Sequence, residues 1–248
     1  FRYEDGTSRI RFIYDQTVRG DTPEGFFIGT EYTNEQINHA LKAENPLEIV
    51  PQMDTVGHGT FLASVAAGRE DRGGVIGAAP DSELIVVKLR KAKPFYLERY
   101  LIPPEQENVY SNTDIMIGIE YILNKARELN RPVSICIGLG TNQGAHNGSS
   151  ILEEYLSQIA TLRGVCTCTA AGNESQAKHH FQGQLIPEGS EQNIDIRVGD
   201  NAGSFSVSIR NSAADRISVS VRSPTGELMG RVPAVSGLRA EEKLVLEK

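Results

Sequence analysis

The 248-residue chain has no tryptophan, three cysteines and an aromatic content of only 6%. Three cysteines cannot supply the disulfide framework of a small secreted scaffold. Cys136, Cys166 and Cys168 all lie in apolar, strand-like runs, and we expect buried thiols. No stretch approaches the roughly 18–20 consecutive apolar residues of a membrane-spanning helix. Basic residues are outnumbered, 25 Lys+Arg against 32 Asp+Glu, for a net charge of −7. With no Lys/Arg cluster, that balance argues against nucleic acid or anionic lipid as a main partner. Phe205 is the only aromatic residue after Phe181, so the C-terminal part has no stacking platform for carbohydrate. No loop of closely spaced Asp and Asn and no Cys/His set at ligand spacing is present, and we expect no metal or cofactor. Phe1 opens as if in mid-domain, and the chain reads as a fragment.

The residues that are present alternate strand and helix. RIRFIY (9–14) alternates and predicts a strand ending near Asp15. TNEQINHALKAEN (33–45) has a Thr cap with Ile37 and Leu41 at helical spacing. HGTFLASVAAGR (58–69) predicts a helix, LIVVKL (84–89) a strand, and residues 91–111 a long polar loop. NTDIMIGIEYILNKARELN (112–130) is amphipathic with acid early and base late, a helix. RPVSICIGLG (131–140) and VCTCTAAGN (165–173) predict strands around a helix in SSILEEYLSQIATLRG (149–164). Such alternation predicts an α/β fold with a parallel sheet covered by helices on both faces. After about residue 186 the helical period disappears. IDIRV (194–198), GSFSVSIR (203–210), DRISVSVRSP (215–224) and EKLVLE (242–247) predict antiparallel strands, too few to close a sandwich. The expected division is therefore 1–186, a partial α/β domain, and 187–248, the first part of a β-sandwich or jelly roll.

Two motifs carry chemistry. Gly57-His58-Gly59-Thr60 opens a helix, where a rigidly held imidazole near the helix N-terminus tends to stay neutral and can accept a proton. Thr169-Ala170-Ala171-Gly172-Asn173 follows a parallel strand, the end at which open α/β sheets build sites. A side-chain amide there can donate to a developing oxyanion, an effect worth roughly 3–4 kcal/mol in acyl transfer. Taken singly, either motif also suits an ordinary surface or turn residue. In order, HGTFLASVAAG, GVIGAAPDSELIVVKL, ICIGLG and TAAGNE resemble the subtilisin-like serine proteases over residues 50–180. That resemblance implies that His58 is the general base and Asn173 the oxyanion-hole amide. It further implies that Leu139, Gly140, Ala171 and Gly172 wall a cleft in which an extended peptide substrate adds a strand.

That family uses Asp, His and Ser in chain order. No Gly-Thr-Ser turn follows Asn173, since Gly6-Thr7-Ser8 and Gly148-Ser149-Ser150 both precede it, so the nucleophile is expected beyond this chain. Asp15 precedes His58 by 43 residues, but Gln16-Thr17 follows where the family has a small residue and Gly, so the acid is expected upstream of Phe1. The opening FRYEDGTSRIRFIYDQT, with β structure begun after Asn173, resembles the clostridial spore-germination (Csp-type) subtilases with an inserted jelly roll. The implied activity is endopeptidase cleavage of protein, by acyl-enzyme chemistry, activating a spore cortex-lytic precursor. An extracellular or spore-associated location and a cleaved prodomain or companion fragment as partner go with it. The group also contains pseudoproteases, so a catalytically inactive binding or signalling subtilase is the alternative. His179-His180 could suggest a metal, but adjacent residues point apart.

Overall fold

The structure is a computed structural model that describes residues 1–69, 74–103, 105–187, 189–199, 204–212 and 214–235. In chain order its elements are β1 (Ile10–Asp15), β2 (Thr30–Thr33), α1 (Asn34–Ala40), α2 (Pro46–Ile49), α3 (His58–Ala67), β3 (Leu84–Lys88) and α4 (Pro94–Arg99). There follow α5 (Asn112–Glu128), β4 (Val133–Ile137), α6 (Ile151–Ile159), β5 (Val165–Thr169), β6 (Val219–Arg222) and β7 (Leu228–Val232). They fall into two compact units, Phe1–Phe205 and Ser206–Lys248.

β1 carries apolar residues on both faces, and the register shift between Ile10 and Phe12 lets Ile10 share a face with Ile13. The strand pairs in parallel with β3, Asp15 opposite Lys88, and antiparallel with β2, in the order β2-β1-β3. Ile10 and Ile13 pack with Tyr32, Ile37, Ala40 and Val50 beneath α1. Phe12 and Tyr14 face the other way, onto Tyr121 of α5. The Tyr14 and Tyr121 rings stack at 4.4 Å, and the Tyr121 hydroxyl donates to Glu31 Oε2 at 2.7 Å. Burial, and then the Glu31 carboxylate, push the Tyr121 hydroxyl pKa well above its ordinary value.

β4 and β5 form a second parallel ladder, from Val133 opposite Val165 to Ile137 opposite Thr169. Ile115, Ile119 and Leu123 recur every four residues along α5 and meet Ile135 of β4 and Ile159 of α6 in one buried cluster. Local signals set the helix starts. Thr33 and Ser150 form capping boxes with Gln36 and Glu153, and Ser111 caps α5.

Several expectations are corrected. The stretch 91–111 is not all loop, because Pro94 opens the six-residue α4. Cys136, Cys166 and Cys168 are exposed, not buried. They occupy the face of β4 and β5 opposite Ile135, and α5 and α6 cover only the Ile135 face. Residues 194–198 and 204–210 form no strands. Ile194, Ile196, Phe205, Val207 and Ile209 are exposed, and alternation makes a strand only where a partner backbone completes the ladder. The run 242–247 lies outside the described residues. In the second unit, the β6–β7 pair is an antiparallel hairpin, its turn closed by Gly226 N–H to Ser223 O (3.0 Å) and Ser223 N–H to Glu227 O (2.8 Å).

Ile119 lies at the centre of the larger cluster and is 2% exposed. Ile119→Ala should lower the unfolding free energy by about 2–5 kcal/mol in urea titration, since it deletes buried methylenes between a helix and a strand. A loss below about 0.5 kcal/mol would mean that this cluster does not hold the fold.

Candidate functional site

The first turn of α3 is organised by a residue outside the helix. Gly57 holds φ at 83°, a left-handed conformation that side-chain-bearing residues rarely adopt, and it offers no capping side chain. Asp54 supplies the cap instead. Its Oδ1 accepts from the N–H groups of Val56 (3.1 Å) and Gly57 (2.7 Å), and its Oδ2 from the N–H (2.9 Å) and hydroxyl (2.7 Å) of Thr60. The Thr60 hydroxyl, then the Gly57 and Thr60 N–H groups, hold the Asp54 carboxyl down at about 2. Lys88 Nζ donates to the Met53 carbonyl at 3.1 Å, tying this approach to the end of β3, where Lys88 is the register partner of Asp15.

His58 therefore begins its helix at the carboxyl end of the parallel strands. A methyl group built on Gly138, one residue past β4, would overlap Leu62 Cδ1 and stand 3.4 Å from His58 Cε1. Glycine at 138 lets α3 and the imidazole sit against the backbone that leads into Leu139-Gly140. Leu139 turns its side chain towards the α5–α6 cluster, while Gly140 is exposed. Across the ladder, Ala170 N–H donates to Ile137 O at 3.1 Å, so Ala171 and Gly172 leave the same end as Leu139 and Gly140. Gly172 turns the chain with φ of 83°, and Asn173 follows, exposed and with no side-chain hydrogen bond among the described residues.

Asp15 ends β1 and is wholly buried. Its Oδ1 accepts from the Thr17 N–H (2.7 Å) and hydroxyl (2.6 Å), while Oδ2 is buried without a hydrogen-bond partner among the described residues. No hydrogen bond joins Asp15 to His58, or His58 to Asn173, among those residues. His179 Nδ1 lies 3.3 Å from Glu174 Oε2, which accepts from Asn142 Nδ2 at 2.7 Å, and the His146 and His180 rings stack at 5.7 Å. No group of three or more His, Cys, Asp or Glu with metal-holding geometry occurs among the described residues, and no helix among them is long and apolar enough to cross a membrane. The structure thus brings His58 to Gly138, the residue before Leu139-Gly140, and has Ala171-Gly172 leave the adjacent strand at the same end. Sequence reasoning missed Asp54 and Gly138. An acidic residue just before a helix is a legible capping signal, whereas the need for glycine at 138 exists only once Leu62 is overhead.

Asp54→Ala should fray the first turn of α3 and cost about 1 kcal/mol, reduced by solvent screening because the carboxylate is largely exposed. Because the folded-state carboxyl titrates below its ordinary 3.8, the stabilisation is complete above that value and is lost as pH falls towards about 2. Unfolding midpoints of wild type and Asp54→Asn should therefore differ near about pH 6 and converge near about pH 2. A difference that persists at the lower pH would exclude this titration as its source.

No curated protein matches the chain in sequence. Among solved structures it is similar to the CspB protease of Clostridium perfringens, with a TM-score of 0.72 and 28% identity. The match covers 96% of this chain and 46% of that one, so the chain spans about half the length of that relative. The subtilase (peptidase S8) family model matches residues 27–231, a span that contains His58, Leu139, Gly140, Ala171, Gly172 and Asn173 and begins after Asp15. The chain belongs to the subtilase family.

Proposed function

We propose that these residues are part of a serine endopeptidase in which His58 is the general base and Asn173 the oxyanion donor. The observation that carries this reading is the seating of the His58 ring against Gly138, at the strand end where segments 138–140 and 170–173 emerge side by side. An extended peptide between Leu139-Gly140 and Ala171-Gly172 would pair with backbone on either side, its scissile carbonyl near the imidazole. His58 would take the proton of a serine supplied from outside these 248 residues. Asn173 would donate its amide N–H to the tetrahedral oxygen, which needs a side chain free of other partners.

The same proposal assigns the triad acid to Asp15. A buried carboxylate oxygen without a partner is costly, and an imidazole N–H would satisfy it. Its place at the end of β1, in register with Lys88, puts it on the strand end that Lys88 ties to the approach to α3. The Gln16-Thr17 that follow are accommodated by structure: Gln16 Nε2 donates to Asp114 O at 2.8 Å, and Thr17 clamps Asp15 Oδ1. Protein substrates fit such a cleft. The proposal extends to processing of a spore cortex-lytic precursor, an extracellular or spore-associated location and a retained prodomain or companion fragment, on the resemblance of the motifs to the Csp-type subtilases. Residues 187–248 are proposed as the opening part of a jelly-roll insertion, in keeping with the β6–β7 hairpin.

In the full-length protein, His58→Ala should lower kcat by a factor of about 10⁴–10⁶ with folding intact by circular dichroism. Asp15→Asn should lower it by about 10⁴, because the imidazole loses the carboxylate that selects its tautomer. If the acid were elsewhere, Asp15→Asn would change kcat by no more than a few-fold. Labelling with a fluorophosphonate probe, read by intact mass, should place one adduct on a serine outside this chain. An intact full-length protein that takes no adduct and is indifferent to His58→Ala would favour an inactive, binding subtilase.

A further inference from the structure

We propose that Glu174 is a positioning residue for the oxyanion donor: by bonding to Asn142 on the neighbouring segment, it fixes where Asn173 stands. This deepens the protease reading and rests on it. The two segments that leave the β4–β5 ladder are last joined through backbone where Ala170 N–H donates to Ile137 O at 3.1 Å. Beyond that bond, no backbone hydrogen bond joins 138–149 to 171–181 among the described residues. Gly172 then turns the chain at φ of 83°, and the Asn173 side chain has no hydrogen bond among those residues. An oxyanion donor is effective only if it is held where the charge develops, so the constraint has to come from a neighbour.

Glu174 supplies one. Its Oε2 accepts from Asn142 Nδ2 at 2.7 Å, a bond between side chains 32 positions apart in sequence that crosses from one segment to the other past the end of the ladder. Glu174 is also anchored from its far side. Its carbonyl accepts from Ala177 N–H at 2.9 Å, closing a turn after which His179 Nδ1 lies 3.3 Å from the same Oε2. The Asn142 amide, then the His179 ring, hold the Glu174 carboxyl below its ordinary value, so it accepts as an anion at neutral pH. On the partner segment His146 Nε2 lies 3.2 Å from the Asn142 carbonyl, and the His146 ring stacks on that of His180 at 5.7 Å. The two loops thus meet through side chains, and one of the contacts belongs to the residue that follows Asn173. Consecutive residues share a rigid peptide plane, so fixing Glu174 limits the main chain of Asn173 and the direction in which its side chain starts.

The test uses the full-length protein and a fluorophosphonate. Attack by serine expels fluoride and, like acyl transfer, loads negative charge onto an oxygen in the oxyanion hole. The phosphonylation rate constant and the dissociation constant of the reversible complex are measured separately. Asn173→Ala should slow phosphonylation by about 10²–10³-fold, which tests the underlying reading. Glu174→Ala should slow it by about 10-fold and change the dissociation constant by less than about two-fold. Asn142→Ala removes the same bond from the other side and should match it, so the comparison survives if Glu174→Ala fails to fold. The double variant should be no slower than either single one. Glu174→Gln keeps an acceptor for Asn142 and should stay within about two-fold of wild type. In an Asn173→Ala background Glu174→Ala should cost less than about two-fold, whereas a residue acting on fold stability or probe affinity would keep its full effect. A wild type that takes no label, or an Asn173→Ala variant that labels at the wild-type rate, would sink the protease reading and this proposal with it. A slow Asn173→Ala variant beside a wild-type rate for Glu174→Ala, additive losses in the double variant, or an undiminished loss in the Asn173→Ala background would overturn this proposal alone.

Discussion

Helix α3, which carries the candidate base, is held by its ends more than by its sides. Of its ten residues only Ala67 is buried, and Phe61 and Val65 are exposed. At the C-terminal end the fully buried guanidinium of Arg9 donates to the carbonyls of Ala67 and Ser82. A buried cation costs several kcal/mol unless its donors are used, and the last carbonyls of a helix are a natural partner because they carry the negative end of its dipole. The chain leaving the helix turns back to satisfy more of them, with Ala78 and Ala79 N–H donating to Val65 and Ala66. Since Arg9 immediately precedes β1, this links the strand that ends in Asp15 to the helix that begins in His58.

The opposite end of α3 is set by Asp54 and by contact with Gly138. The two arrangements have different physics. Asp54 satisfies N–H groups that the helix cannot satisfy internally, an electrostatic and largely local matter. Gly138 acts by lacking atoms, which lets Leu62 and the imidazole reach backbone. Between them they aim an exposed histidine at the end of the β4–β5 ladder. A buried carboxylate stands at the end of β1, in the β2-β1-β3 sheet. Under the proposed reading rigid seats of both sorts matter, because small displacements of a base from its partner are expensive in rate.

Much of the first unit was legible. The helices over 34–40, 112–128 and 151–159 start at Thr33, Ser111 and Ser150, residues whose side chains accept from the first-turn N–H groups. His58 and Asn173 became candidates through the order of four motifs that resembles the subtilases, since either motif alone also suits a surface or turn residue. Asp15 was less legible. Its following Gln16-Thr17 looked unsuited to a catalytic turn, yet Gln16 finds a carbonyl on α5, nearly a hundred residues away. The strands expected over 194–198 and 204–210 failed for the converse reason. Their alternation was real, but among the described residues no partner strand pairs with them.

By itself the sequence determined the capped helix starts and the α/β alternation of the first unit. Each of these depends on hydrogen bonds and periodicities within a few residues, which need nothing from the remainder of the chain. Tertiary structure alone decided which face of each strand is covered and that Asp15 is buried. It alone also decided that Gly138 lies under His58 and that Cys136 is the register partner of Cys168. These follow from strand register and helix docking between segments tens of residues apart, and a one-residue change of register would reverse them without altering any local signal.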